Sequence, residues 1–180
     1  MTIALIAIGI LLVLWLISTQ RKLVVLDENI NNAMSQIGVQ TASRWDALTA
    51  LLKLTKGYAQ HEYETISNTV KMRTAINGNS TVKDAEAQEQ LYSQAKSQIF
   101  AVAESYPELK ASETYITTMN SVNQYEDTVR TARMVYNDSV TKLNRAVRMF
   151  PVSLIAGLFG FSQRDYLQVD QAKSDMPDMQ

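Results

Sequence analysis

From Leu23 onward, apolar or small residues return every three or four positions: Leu26, Ile30, Met34, Ile37, Thr41, Trp45, Leu48, Leu52, Thr55 and Tyr58. That spacing marks one face of an α-helix. No proline precedes Pro107, and Gly38 and Gly57 would each cost a helix interior only about 1 kcal/mol relative to alanine. The pattern predicts one long helix reaching about residue 74, loosened at Gly57. Asn77-Gly78-Asn79 favours a turn and makes the first break. A second helix follows over about Val82 to Ser105, with a face of Ala87, Leu91, Ala95, Ile99 and Val102. Pro107 makes a corner, because the residue before a proline avoids the α region. A third helix opens at Ser112, an N-cap residue type with Glu113 in the first turn. It carries Met119, Val122, Val129, Tyr136, Val140, Leu143 and Val147 as far as Phe150, where Pro151 ends it. Strand-type alternation is absent, so the predicted fold class is all-α: a single N-terminal transmembrane helix continuing into a long antiparallel bundle of three main helices.

Before Leu23 the periodicity vanishes because nearly every position is apolar. Thr2 to Ser18 carries no charge and spans roughly 25 Å as a helix; Thr19 and Gln20 extend it toward the roughly 30 Å of a hydrocarbon core. Trp15 stands near one end, where interfacial aromatics are favoured. Neither a basic residue before the run nor a small-x-small site after it favours a cleaved signal peptide. Residues 1–20 are therefore read as a membrane anchor whose partner, through residues 2–20, is the lipid bilayer. Arg21 and Lys22 follow directly, which by the positive-inside rule puts the N-terminus outside and the rest in the cytoplasm. Residues 21–165 form the expected bundle. Residues 166–180, with Met176, Pro177 and Met179, form an expected extended polar tail. Phe150 to Phe161 is a second apolar stretch, too short to span a bilayer. It is expected to fold back as a short fourth helix capping the bundle, the alternative being an interfacial or subunit contact. Only Arg148 and Arg164 flank it along the chain, fewer basic residues than a membrane-surface helix usually carries.

Composition narrows the chemistry. With 17 basic and 18 acidic residues among 180, net charge is −1, and no bulk attraction to nucleic acid is expected. The aromatics lack the interleaved lysines and arginines of a base-stacking platform. The absence of cysteine excludes disulfides, thiol nucleophiles and zinc–thiolate sites. Six scattered glycines make no phosphate-cradling loop. His61 is the single histidine. A general base needs a substrate or nucleophile within about 3 Å and an orienting partner, and neighbouring Glu62 points elsewhere on a helix. His61 is expected to belong to a packing seam with Tyr58. No catalytic, cofactor-binding or metal-ligating set emerges, and the chain is read as a non-enzyme.

The third helix also carries a polar stripe: Glu126, Arg130, Arg133, Asn137 and Asn144, at steps of three, four and seven. Arg44 and Arg73 on the first helix and Glu104 on the second are positioned to face it. Two readings stay open. One is a solvated face with intrahelical pairs such as Glu126–Arg130, each contributing about 0.2–0.5 kcal/mol. The other is a polar seam between helices or subunits that fixes their register.

Several segments together resemble the LemA family of bacterial membrane-anchored helical proteins. They are AMSQIGVQTASRWDALTALLKLTKGYAQHE, SYPELKAS, YEDTVRTARMVYNDSVTKLNRAVRMFP and the closing GF…YL region. The most specific parts are Gly57-Tyr58 with His61-Glu62, Tyr106-Pro107 with Leu109-Lys110, and Arg133 with Tyr136-Asn137, Asn144 and Phe150-Pro151. The resemblance covers nearly the whole chain and implies an N-terminal anchor and a cytoplasmic helical bundle. The chain departs from the family pattern at TASRWDAL, where a more basic, proline-containing run is common, and at Leu167, where an aromatic is common. A first helix uncovered from residue 21 to 74 would extend roughly 80 Å, more than the second helix can cover. The expectation is a scaffold that self-assembles into a homo-oligomer at the bacterial inner membrane, or alternatively an adaptor for another membrane protein. The expected structural and interaction residues are Arg44, Tyr58, His61, Glu126, Arg133, Tyr136, Asn137, Asn144, Phe150 and Pro151.

Overall fold

The computed structural model describes residues 1–168. Five α-helices follow one another: α1 (Thr2–Thr55), α2 (Gln60–Lys71), α3 (Val82–Ser105), α4 (Pro107–Ala111) and α5 (Glu113–Arg148). Two 3₁₀ turns, Val152–Leu154 and Gly157–Phe159, come after them, and no strand occurs among the described residues. The fold is all-α, as its periodicity indicates. α1 is one unbroken helix from the apolar N-terminal segment into the bundle, and that segment is long and apolar enough to cross a membrane.

One expectation is overturned. The first helix stops at Thr55 rather than near residue 74, and the chain reverses through Lys56–Ala59. The turn is tied by the amides of Tyr58 and Ala59, which both donate to the Thr55 carbonyl at 3.0 Å. A helix continued to 74 would project about 28 Å past Thr55, carrying Ile66 and Val70 away from the core. Reversal instead buries both against Leu48, Leu51 and Leu52. Gly57, in open space with no atom near its missing Cβ, is where the helix gives way. The bundle therefore has four antiparallel layers along its length, α1, α2 with its extension 72–80, α3 and α5, rather than three.

The extension returns along α1 in close contact. Arg73 pairs with Asp46 at 2.9 Å, and the Ile76 carbonyl lies where a Cβ on Gly38 would stand. Gly38 is thus the position at which one backbone approaches another, which only glycine permits. The α3 start is set by a reciprocal cap: the Asp84 amide donates to Thr81 Oγ1 at 3.2 Å, and the Thr81 amide to Asp84 Oδ2 at 2.8 Å. The Thr81 backbone and hydroxyl bonds hold the Asp84 carboxyl below its usual range. Ser112 caps α5 by accepting from the Tyr115 amide at 3.2 Å. The core has two clusters. One is centred on Trp45, Leu48, Tyr92, Ile99 and Val122, the other on Leu23, Ile30, Met34, Tyr136 and Leu143. Ala87 lies on the exposed side of α3, and Gln88 and Tyr92 take the inward positions.

Candidate functional site

Between the two apolar clusters lies a band of polar groups crossing α1, α3 and α5. Arg44, only 3 % exposed, donates from both terminal nitrogens to the Glu89 carboxylate at 3.0 and 2.7 Å. The same carboxylate stands 3.2 Å from Arg133 Nη1. One carboxylate thus serves two guanidiniums. The surplus positive charge is met by the Tyr92 ring face, 3.9 Å from Arg44 Cζ, and by the Gln168 carbonyl, which accepts from Arg133 Nη2 at 2.6 Å. The Tyr92 hydroxyl donates to Glu126 at 3.3 Å, and Lys96 Nζ reaches the same oxygen at 2.6 Å. Trp45 closes the band with its ring edge-on to Tyr92, centroids 5.2 Å apart.

Burial and the neighbouring Glu126 charge push the Tyr92 phenol far above its ordinary value of 10.0, and burial also raises Tyr115 and Tyr136. A phenol whose folded pKa is raised contributes its full stability below the unfolded pKa and loses it as pH rises through the folded one. The chain is therefore expected to hold full stability to about pH 10 and to unfold progressively above it. In an alkaline titration followed by circular dichroism and tyrosinate absorbance, these tyrosines should ionise only with unfolding. Tyrosinate absorbance that rises fully while helicity is unchanged would contradict this.

The second part of the site is a clasp on the chain after the 3₁₀ turns. Asn144 accepts from the Arg164 amide at 2.8 Å and donates to its carbonyl at 2.9 Å. Seven residues earlier on α5, Asn137 does the same to Leu167, both bonds 2.9 Å. Two side-chain amides thus act as surrogate backbone, holding residues 164–167 extended along α5. The seven-residue step puts them on one helix face two turns apart. The Tyr136 hydroxyl lies 3.3 Å from the Asp165 carbonyl, and Arg164 pairs with Asp27 of α1 at 2.8 Å. Leu167 is buried in the core cluster with Ile37 and Tyr136, so the packed chain continues past residue 165. Met176, Pro177 and Met179 lie outside the described residues. Replacing Asn144 with alanine removes both part-buried hydrogen bonds to the Arg164 backbone and, at a net of about 0.5–1.5 kcal/mol each, should cost about 1–3 kcal/mol. Asn137→Ala should cost a comparable amount, because it removes two bonds to the backbone of buried Leu167, and urea unfolding measures both. Wild-type midpoints for both variants would remove the clasp as a stabilising element.

The structure brings together Arg44, Glu126, Arg133, Tyr136, Asn137 and Asn144 in or beside this band. Glu126 does not pair with Arg130; it faces Lys96, and Arg130 lies 4.0 Å from Asp127. Arg73 is on Asp46 at the surface, and Glu104 is exposed. His61 is exposed on α2 rather than in a packing seam, because the reversal at 56–59 turns its face outward. Tyr58, half-exposed in that turn, packs against Tyr106 with ring centroids 5.8 Å apart and planes tilted by 56°. His61 borders a groove of about 420 Å³ between α2 and α3, with Glu62, Gln98 and Tyr106 among its other linings. Phe150 and Pro151 are exposed. Glu89, Tyr92 and Lys96 escaped sequence reasoning. They repeat on α3 at steps of three and four, the same signal that singled out the α5 stripe.

No group of three or more His, Cys, Asp and Glu side chains able to hold a metal ion occurs among the described residues. The band can pin helix register; its charged groups are occupied with one another.

The LemA family model matches residues 33–180, which includes nearly all of the bundle, the band and the clasp. Two relatives from Paramagnetospirillum magneticum (strain ATCC 700264 / AMB-1), "Magnetosome protein MamQ 2" and "Magnetosome protein MamQ 1", are each 26% identical over 204 residues, covering 97% of this chain and 75% of the relative. With its four-layered bundle, its anchor-like α1 and a family match that spans most of its length, this chain belongs to the LemA family.

Proposed function

We propose that this protein is a non-enzymatic, membrane-anchored helical scaffold that self-assembles at the bacterial inner membrane, with its N-terminus outside and its bundle in the cytoplasm. The observation that carries the reading is the state of α1. Its large apolar residues from Ile3 to Leu14 are exposed, yet the helix runs unbroken into a packed bundle. Water does not tolerate such a surface, and lipid does. Arg21 and Lys22 at the end of the apolar run support the cytoplasmic placement. The charged groups of the polar band are engaged with each other, which supports a structural role for them rather than a catalytic one.

The reversal at Lys56–Ala59 removes the long uncovered helix as a reason for self-association. What supports assembly now is a smaller set of apolar side chains: Val25 and Val39 on α1, and Met134 and Val135 on α5, each stay about half exposed outside the anchor. Confinement to a membrane plane raises the effective concentration at which such patches meet. The test is the mass of the full-length chain in nanodiscs, by native mass spectrometry or light scattering. A defined multimer that Met134→Glu dissociates without loss of helicity supports the scaffold. A monomer rejects self-assembly and leaves the adaptor reading, in which crosslinking in cells should capture one membrane protein. Topology is read separately: with Ser97→Cys as the single thiol, an impermeant maleimide should label spheroplasts only after lysis.

A further inference from the structure

We infer that the loop carrying the two 3₁₀ turns, residues 149–161, is a second membrane contact: its protruding apolar side chains enter the headgroup layer of the bilayer that α1 crosses. The inference rests on the anchored reading of α1.

Three observations carry it. The first is exposure. Phe150 is 78% exposed, Leu154 69% and Leu158 84%. These are whole side chains standing off the bundle, on a segment whose other side chains Val152, Ala156 and Phe161 pack inward. The loop is therefore held in place while its large apolar tips stay uncovered.

The second is position. Val152, Ala156 and Phe161 join the cluster that contains Leu23 and Leu26 of α1. Leu23 lies three residues beyond Gln20, about 4.5 Å along the helix axis. Arg164 is bonded through its backbone to Asn144 of α5 and through its side chain to Asp27 of α1. That sets the end of α5 level with the start of the bundle, so the loop that follows α5 lies toward the apolar span. Interfacial segments sink about 5–10 Å into the headgroup and acyl boundary, which is within reach of a Phe or Leu side chain from there.

The third is charge. Along the sequence only Arg148 and Arg164 flank this stretch, and Arg164 is engaged by Asp27. In space the setting is richer. Arg145 and Arg148 in the last turn of α5 and Arg21 and Lys22 of α1 are all exposed at the same end of the bundle. Apolar tips beside exposed cations suit a surface of anionic lipid, with cationic heads in the phosphate layer and apolar side chains below it. A subunit interface needs a continuous, shape-matched face. Isolated side chains projecting from 3₁₀ turns offer none.

The chain has no cysteine, so one introduced thiol reports from one position. Full-length Leu158→Cys is labelled with a polarity-sensitive fluorophore and reconstituted in vesicles of phosphatidylethanolamine and phosphatidylglycerol. Lipids carrying a nitroxide either near the headgroup or deep in the acyl chain are then added. Ile10→Cys in the apolar part of α1 and Ser97→Cys on exposed α3 are the controls. Leu158 should lose emission to the shallow quencher to about the extent that Ile10 loses it to the deep one, while Ser97 loses none. Leu154→Cys should behave as Leu158 does. If Ile10 is quenched and Leu158 and Leu154 are not, the second contact is rejected with the anchor intact. Protection of Leu158 from lipid and aqueous quenchers alike would mean a subunit contact and would also overturn it. Absence of quenching at Ile10 would reject the anchored reading, and this inference with it.

Discussion

Replacing Glu89 with alanine is expected to destabilise the folded chain by about 3–5 kcal/mol, the cost of leaving the buried Arg44 guanidinium without its carboxylate. Arg44 is nearly inaccessible, and both of its hydrogen-bonded nitrogens reach the Glu89 carboxylate. Without that carboxylate the guanidinium keeps only the Tyr92 ring face, and Arg133 loses its side-chain partner at the same time. Glu89→Gln, which retains an acceptor oxygen without the charge, should cost less. Arg133→Glu should also be severe, because it sets two carboxylates against each other where an ion pair stood. For a chain of this size about 3–5 kcal/mol lowers the melting temperature by on the order of 10 °C. Thermal unfolding followed by helical circular dichroism measures it. A Glu89→Ala variant that melts with the wild type would show that the band is solvated and contributes no stability.

Gly38→Ala sets two physical effects against each other. In a helix interior alanine is favoured over glycine by about 1 kcal/mol, and on that ground the substitution stabilises. Yet a Cβ at Gly38 overlaps the carbonyl of Ile76, and the obstacle is backbone rather than a flexible side chain. The returning segment has little room to withdraw. Ile76 is buried, and two residues on a Cβ at Gly78 would crowd Ser35 and Asn31. Overpacking of this kind costs about 1–3 kcal/mol and occasionally more, so the expected net loss is about 2 kcal/mol. Gly57→Ala is the matched control. Gly57 is exposed with open space around it, and its change should stay within about 0.5 kcal/mol. Urea midpoints that rank Gly38→Ala at or above the wild type would mean that segment 72–80 does not lie against α1.

Much of this molecule was legible in the chain itself. Three- and four-residue periodicity determined the all-α class, and punctuation near Asn77, Pro107 and Pro151 marked three of the connections because those residues act on their own backbone. The α5 stripe was visible for the same reason, since its members share a face by arithmetic alone. The uncharged run up to Gln20 likewise declares its need for an apolar surrounding. Tertiary structure decided the rest. Periodicity through Tyr58 cannot tell a continued helix from one that reverses, because both leave the same residues in register locally. The reversal follows from burying Ile66 and Val70 on Leu48 and Leu51, contacts between residues far apart in the chain. The partners of the α5 stripe were hidden likewise: Glu89, Lys96, Arg164 and Leu167 meet it only after three helices have turned back on one another. His61, which by spacing shares a face with Tyr58, is exposed because the turn rotates that face away from the core. Local chemistry and helical spacing are properties of neighbouring residues and can be read in order. Which face meets which is a property of closure, where the burial of distant apolar residues outweighs the continuity of any one helix.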